Sequence, residues 1–119
     1  MAADESLRIV RRYLERLREE HLPAQGLVLY GSHARGNPGP DSDIDILVLL
    51  DNDVTVVEID QLWTRLEHLA LGVDMRIETW PVTLQRFEND EVSPLLIAVR
   101  REGIPVMPES RVGQVVEKT

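Results

Sequence analysis

Two apolar runs, Gly26-Leu27-Val28-Leu29-Tyr30 and Ile44–Leu50, are joined by Gly31-Ser32-His33-Ala34-Arg35-Gly36-Asn37-Pro38-Gly39-Pro40-Asp41-Ser42-Asp43. Short continuous apolar runs bounded by turn residues read as buried strands. Residues 36–40 (GNPGP) form a loop by composition. Side chains alternate along a strand, so Asp43 and Asp45 share one face while Ile44, Ile46, Val48 and Leu50 point to the other. Two carboxylates held side by side raise each other's pKa unless a cation neutralises them. Their hard oxygens suit Mg²⁺, which takes substrate phosphates among its remaining ligands. At the far end of the segment, Gly31 lets a backbone come close to a phosphate. Ser32 adds a hydroxyl, a short helix starting there would offer N–H groups to an anion, and Arg35 lies one helical turn further on.

Outward from this segment, residues 5–22 form a predicted amphipathic helix with Leu7, Val10, Leu14 and Leu17 on one face, ended by Pro23. Its arginines alternate with glutamates, which reads as a solvated face rather than a nucleic-acid surface. Thr55-Val56-Val57-Glu58 is a capping box. Ile59, Leu62, Trp63, Leu66, Leu69 and Ala70 then recur at helical spacing as far as Gly72. Residues 73–79 alternate, with Val73, Met75 and Ile77 on one side and Asp74, Arg76 and Glu78 on the other, and predict a half-buried third strand. Paired with the second strand, it would bring Asp74 towards Asp43 and Asp45, a layout of three carboxylates suited to in-line phosphoryl or nucleotidyl transfer. Residues 83–88 read as one or two helical turns. Ser93-Pro94 opens a last helix ending at Gly103, and residues 104–106 suit an edge strand because Pro105 lacks the ladder donor. The expected architecture is α+β, a small mixed β-sheet flanked by helices. Residues 1–107 are expected to form one domain, with 108–119 as a C-terminal tail that frays.

The 119 residues fit one domain, and the absence of cysteine excludes disulfides and thiolate metal sites. A net charge of −8 disfavours direct nucleic-acid binding. No apolar stretch is long enough to span a membrane, and two acids precede the first apolar run, so the expected location is the cytoplasm. Asp43 and Asp45 alone could simply solvate a strand end, and Gly31-Ser32 alone could be an ordinary turn; it is their spacing that raises both above that reading. His33 is expected to be exposed in its loop, with contact to a phosphate or a partner as the alternative, His21 and His68 to lie on helix surfaces, and Arg76 and Glu78 to be surface residues that pair with each other or with a partner.

The pattern Gly-Ser, ten residues, Asp-x-Asp resembles the nucleotidyltransferase superfamily that shares its fold with the palm of DNA polymerase β. The fuller string GSxARG…SDIDILV is similar to its minimal nucleotidyltransferase group, and the similarity runs over residues 24–107. The resemblance implies that Asp43, Asp45 and Asp74 are catalytic, that all three ligate two Mg²⁺ ions for which Mn²⁺ can substitute, and that Asp74 helps deprotonate the acceptor. It also implies that Gly31 and Ser32 hold the triphosphate; with Arg35 they make up the expected nucleotide-binding residues. The expected activity is transfer of AMP from ATP, or of another nucleoside monophosphate, to an acceptor hydroxyl. Domains of this size resemble the antitoxin half of HEPN/MNT toxin–antitoxin modules, so the expected acceptor is a tyrosine of a helical HEPN partner, with homo-oligomerisation left open. Two alternatives stand beside this: a non-catalytic antitoxin that only binds its toxin, and a stand-alone transferase acting on a small molecule such as an aminoglycoside.

Overall fold

Ile9, Val10, Tyr13, Leu14 and Leu17 are buried along one side of helix α1 (Asp4–Glu19), the stripe that a 3.6-residue period demands of a helix lying on a sheet. The structure is a computed structural model and describes residues 4–108. α1 stops three residues short of the sequence expectation. His21 takes a left-handed φ of 60°, its N–H bonds the Arg18 carbonyl and the Leu22 N–H bonds the Leu17 carbonyl, which is a Schellman closure. His21 and His68 are exposed, as expected.

The chain continues through β1 (Ala24–Tyr30), α2 (Ser32–Arg35), β2 (Ile44–Leu50), α3 (Val56–Leu71), β3 (Ile77–Thr83), α4 (Leu84–Asn89), α5 (Pro94–Glu102) and β4 (Ile104–Val106). The capping box at Thr55 forms in full: the Glu58 N–H bonds the Thr55 hydroxyl and the Glu58 carboxylate accepts from the Thr55 N–H. Ser93 caps α5 through the Leu96 N–H, with Pro94 in its first turn.

The sheet order is β3-β2-β1-β4. β1 pairs antiparallel with β2 and with β4, while β2 and β3 run parallel, joined through α3. Leu27, Leu29, Ile44, Ile46, Val48 and Leu50 pack under α1 and α3. Val28, Leu47, Leu49 and Val82 pack against Leu96 and Val99 of α5 on the opposite face. Both faces of the central strands are therefore covered, which explains their unbroken apolar runs. Pro81 and Pro105 both fall on the edge strands, where a missing N–H costs no ladder bond.

The third strand is displaced from its expected place. It runs over Ile77–Thr83, not 73–79. The Val73 and Asp74 N–H groups still bond the Ala70 carbonyl, and the Ile77 N–H bonds the Asp74 carbonyl, so residues 73–76 form a turn. The Asp74 carboxylate fixes that turn by accepting from the Arg76 N–H at 2.9 Å and from its guanidinium at 3.0 Å. An Asp that bonds backbone two residues ahead competes with strand pairing, and here it wins. The expected C-terminal tail from 109 onward lies outside the described residues.

Candidate active site

Tyr30, Asp45 and Glu78 stand in one row across the sheet, because Tyr30 pairs with Asp45 on β2 and Asp45 pairs with Glu78 on β3. The C-terminal end of β1 thus meets the N-terminal ends of β2 and β3. Asp43 lies two residues before Asp45, and carboxylate oxygens of Asp43, Asp45 and Glu78 lie within 4.8 Å of one another. Asp43 and Glu78 are exposed and Asp45 is half-buried. Burial, together with the charges of Asp43 and Glu78, holds the Asp45 carboxyl above the usual carboxylate range, partly offset by His33 and Arg35. Burial and the same acidic neighbourhood push the Tyr30 phenol up to about 12.

The third carboxylate is therefore Glu78 rather than Asp74. Asp74 sits in the turn before β3 with both carboxylate oxygens engaged by Arg76, which holds its carboxyl below the usual range. Arg76 consequently pairs with Asp74, and Glu78, expected beside it as a surface residue, joins the cluster. The signal for Glu78 in the sequence is an acid between two β-formers, Ile77 and Thr79, at the start of a strand. Three oxygen donors within reach of one ion, with no nitrogen or sulfur donor among them, fit a hard divalent cation.

Gly31 occupies φ 77°, a left-handed conformation, and a Cβ there would overlap Asp45 Oδ2. The turn is thus pressed against the carboxylate cluster by a contact that only glycine permits. α2 follows at once. The Ala34 and Arg35 N–H groups bond the Gly31 carbonyl, the helix start has no side-chain cap, and Gly36 closes the other end in the αL region. Ser32 is half-buried at this start. Arg35 is exposed and borders a cavity of about 240 Å³ that also touches Tyr30, Gly31, Asp45, Leu95 and Val99. Gly31, Arg35 and Asp45 border this one cavity, Asp43 joins Asp45 in the carboxylate cluster, Ser32 opens α2 directly after Gly31, and Asp74 is in neither group. A larger groove of about 530 Å³ between α1 and β4 contains none of these residues.

His33 departs from expectation. It is buried rather than exposed in a loop, and its ring reaches Ser6 of α1 and the Ser42 carbonyl.

The profile of the nucleotidyltransferase domain family matches residues 10–100. A solved structure from Sulfolobus solfataricus, described as a nucleotidyltransferase, superposes with a TM-score of 0.57 at 14% identity, covering 85% of this chain and 78% of that one. A toxin–antitoxin structure determined with AMP-PNP superposes with a TM-score of 0.53 at 23% identity, covering 80% of this chain and 69% of that one. No curated protein matches the chain. With the matched region spanning most of its length, and the Gly-Ser turn and acidic strands inside it, the chain belongs to the nucleotidyltransferase domain family.

Proposed function

We propose that this protein transfers AMP from ATP to a hydroxyl of a protein acceptor, a tyrosine of a HEPN-type toxin, and so acts as an antitoxin. The observation that carries the transferase reading is the cluster of Asp43, Asp45 and Glu78 oxygens packed against the Gly31 turn. Asp43, Asp45 and Glu78 would hold the divalent metal, Mg²⁺ or Mn²⁺, which when bound offsets the charge of the triphosphate. Gly31 and Ser32 hold the phosphates through backbone approach and the serine hydroxyl. Arg35, exposed at the cavity rim, adds a cation on the same side. The acceptor oxygen attacks the α-phosphorus in line, the α–β phosphoanhydride bond breaks, and pyrophosphate leaves. The acceptor proton passes to a carboxylate of the cluster. Docking of the acceptor protein supplies the alignment that in-line attack needs.

The toxin–antitoxin half of the reading is supported by the superposition on a complex of that kind, and by a net charge of −8 that suits a basic protein partner. The test is to incubate the protein with α-labelled ATP, Mg²⁺ or Mn²⁺, and the product of the neighbouring gene. Labelling of that product, lost in Asp45→Asn, is the expected result. Tight binding without labelling moves the reading to a non-catalytic antitoxin. Neither labelling nor binding points to a small-molecule acceptor.

A further inference from the structure

The sheet fixes the two halves of the site only up to its last paired residues. Tyr30 opposite Asp45 is the final rung of the β1–β2 ladder. α2 and residues 36–42 lie beyond it, so the ladder alone does not set how far the Ser32 turn stands from the strand entry at Asp43. His33 spans this gap from inside. It follows Ser32 in α2, is 5% exposed, and its Nε2 lies 3.3 Å from the carbonyl oxygen of Ser42, the residue before Asp43. A carbonyl can only accept, so Nε2 carries the proton. Nδ1 is hydrogen-bonded to the Ser6 hydroxyl at 2.7 Å. Ser6 is 2% exposed on α1, and α1 is packed onto the sheet through its buried apolar stripe. The far end of the loop is braced as well, since the Ser42 hydroxyl accepts from the Gly39 N–H at 2.6 Å.

We infer that His33 is a positioning residue for nucleotide binding: with Ser6 as its anchor, it sets the spacing between the Gly31–Ser32 phosphate turn and the Asp43–Asp45 metal strand. The inference rests on the transferase reading above. Buried side chains with both polar atoms bonded hold a single geometry, and partial loss of such a network loosens it. Small displacements of groups that must grip one ligand together are felt as affinity. A histidine that only filled space would affect folding stability and leave the affinity of folded molecules unchanged.

The experiment is calorimetric titration of Mg-ATP into wild type, Ser6→Ala, His33→Gln and His33→Leu, each well below its own thermal midpoint so that all are folded. His33→Leu is expected to lose about tenfold or more in affinity, and Ser6→Ala severalfold. His33→Gln, whose amide nitrogen can donate towards the Ser42 carbonyl, is expected to recover most of the loss. Wild-type affinity in folded His33→Leu overturns the inference and leaves the transferase reading standing. Should His33→Leu fail to fold, Ser6→Ala decides in the same way, with unchanged affinity refuting the anchor. Absence of Mg-ATP binding in the wild type removes the transferase reading itself, and this inference with it.

Discussion

Replacing Asp45 by Asn should make the metal-free protein more stable while removing its response to divalent ions. Asn keeps the shape and deletes one of three charges whose oxygens lie within 4.8 Å of one another. At that separation a pair of like charges costs about 0.9 kcal/mol at the dielectric of water and about 3.5 kcal/mol at an effective value near 20. Asp43 and Glu78 are exposed, so the watery end of the range applies. Asp45 faces both, and relief of two such pairs gives about 1–2 kcal/mol, or a rise of about 4 °C or more in thermal midpoint. The pH dependence follows from the raised carboxyl of Asp45. A folded-state pKa above the unfolded one means that the native protein binds the proton more tightly. The penalty is absent where both states are protonated, grows as pH rises through the folded pKa, and is complete at neutral pH. The gap between variant and wild type should therefore be full at pH 7 and close on acidification towards pH 4. Differential scanning calorimetry in EDTA at the two pH values measures it, followed by Mg²⁺ and Mn²⁺ titrations that should raise the midpoint of the wild type alone. An Asp45→Asn midpoint at or below wild type in EDTA at pH 7, with a divalent-ion response still present, would refute the reasoning.

The choice between Glu78 and Asp74 as the third carboxylate is tested by Glu78→Gln, which should abolish divalent-ion stabilisation and cut AMP transfer by at least about a hundredfold. Asp74→Asn should keep both and lose only about 1 kcal/mol with its Arg76 pair; chemical denaturation alongside the transfer assay separates the two. Gly31→Ala should cost about 1–3 kcal/mol for the positive-φ backbone alone, more for the overlap with Asp45 Oδ2, and should abolish Mg-ATP binding by calorimetry. Binding equal to wild type would show that the turn does not approach the phosphates.

Local rules written in the sequence determined most of the elements and the two acidic positions that anchor the site. The Thr55–Glu58 box, Ser93 before Pro94, and the apolar run Ile44–Leu50 each act over a few residues, and each forms where local chemistry places it. The alternation that puts Asp43 and Asp45 on one face is likewise a property of the chain alone. The third strand was not legible in this way. Residues 73–79 alternate well enough for a strand, but Asp74 spends its carboxylate on Arg76 and folds them into a turn. The strand that forms instead contains Pro81, tolerated only because the sheet order leaves β3 at an edge. Parallel pairing with β2 then sets Glu78 beside Asp45, a contact between residues 33 apart that no periodicity encodes. His33 is a second case. Its surroundings in the chain are glycine, proline and polar residues, which read as exposed loop. Its partner Ser6 is 27 residues away, and only the packing of α1 onto the sheet brings that hydroxyl to the ring. Tertiary structure thus decided which carboxylate completes the cluster and what surrounds the His33 ring, because both depend on side chains that meet only after the sheet has formed.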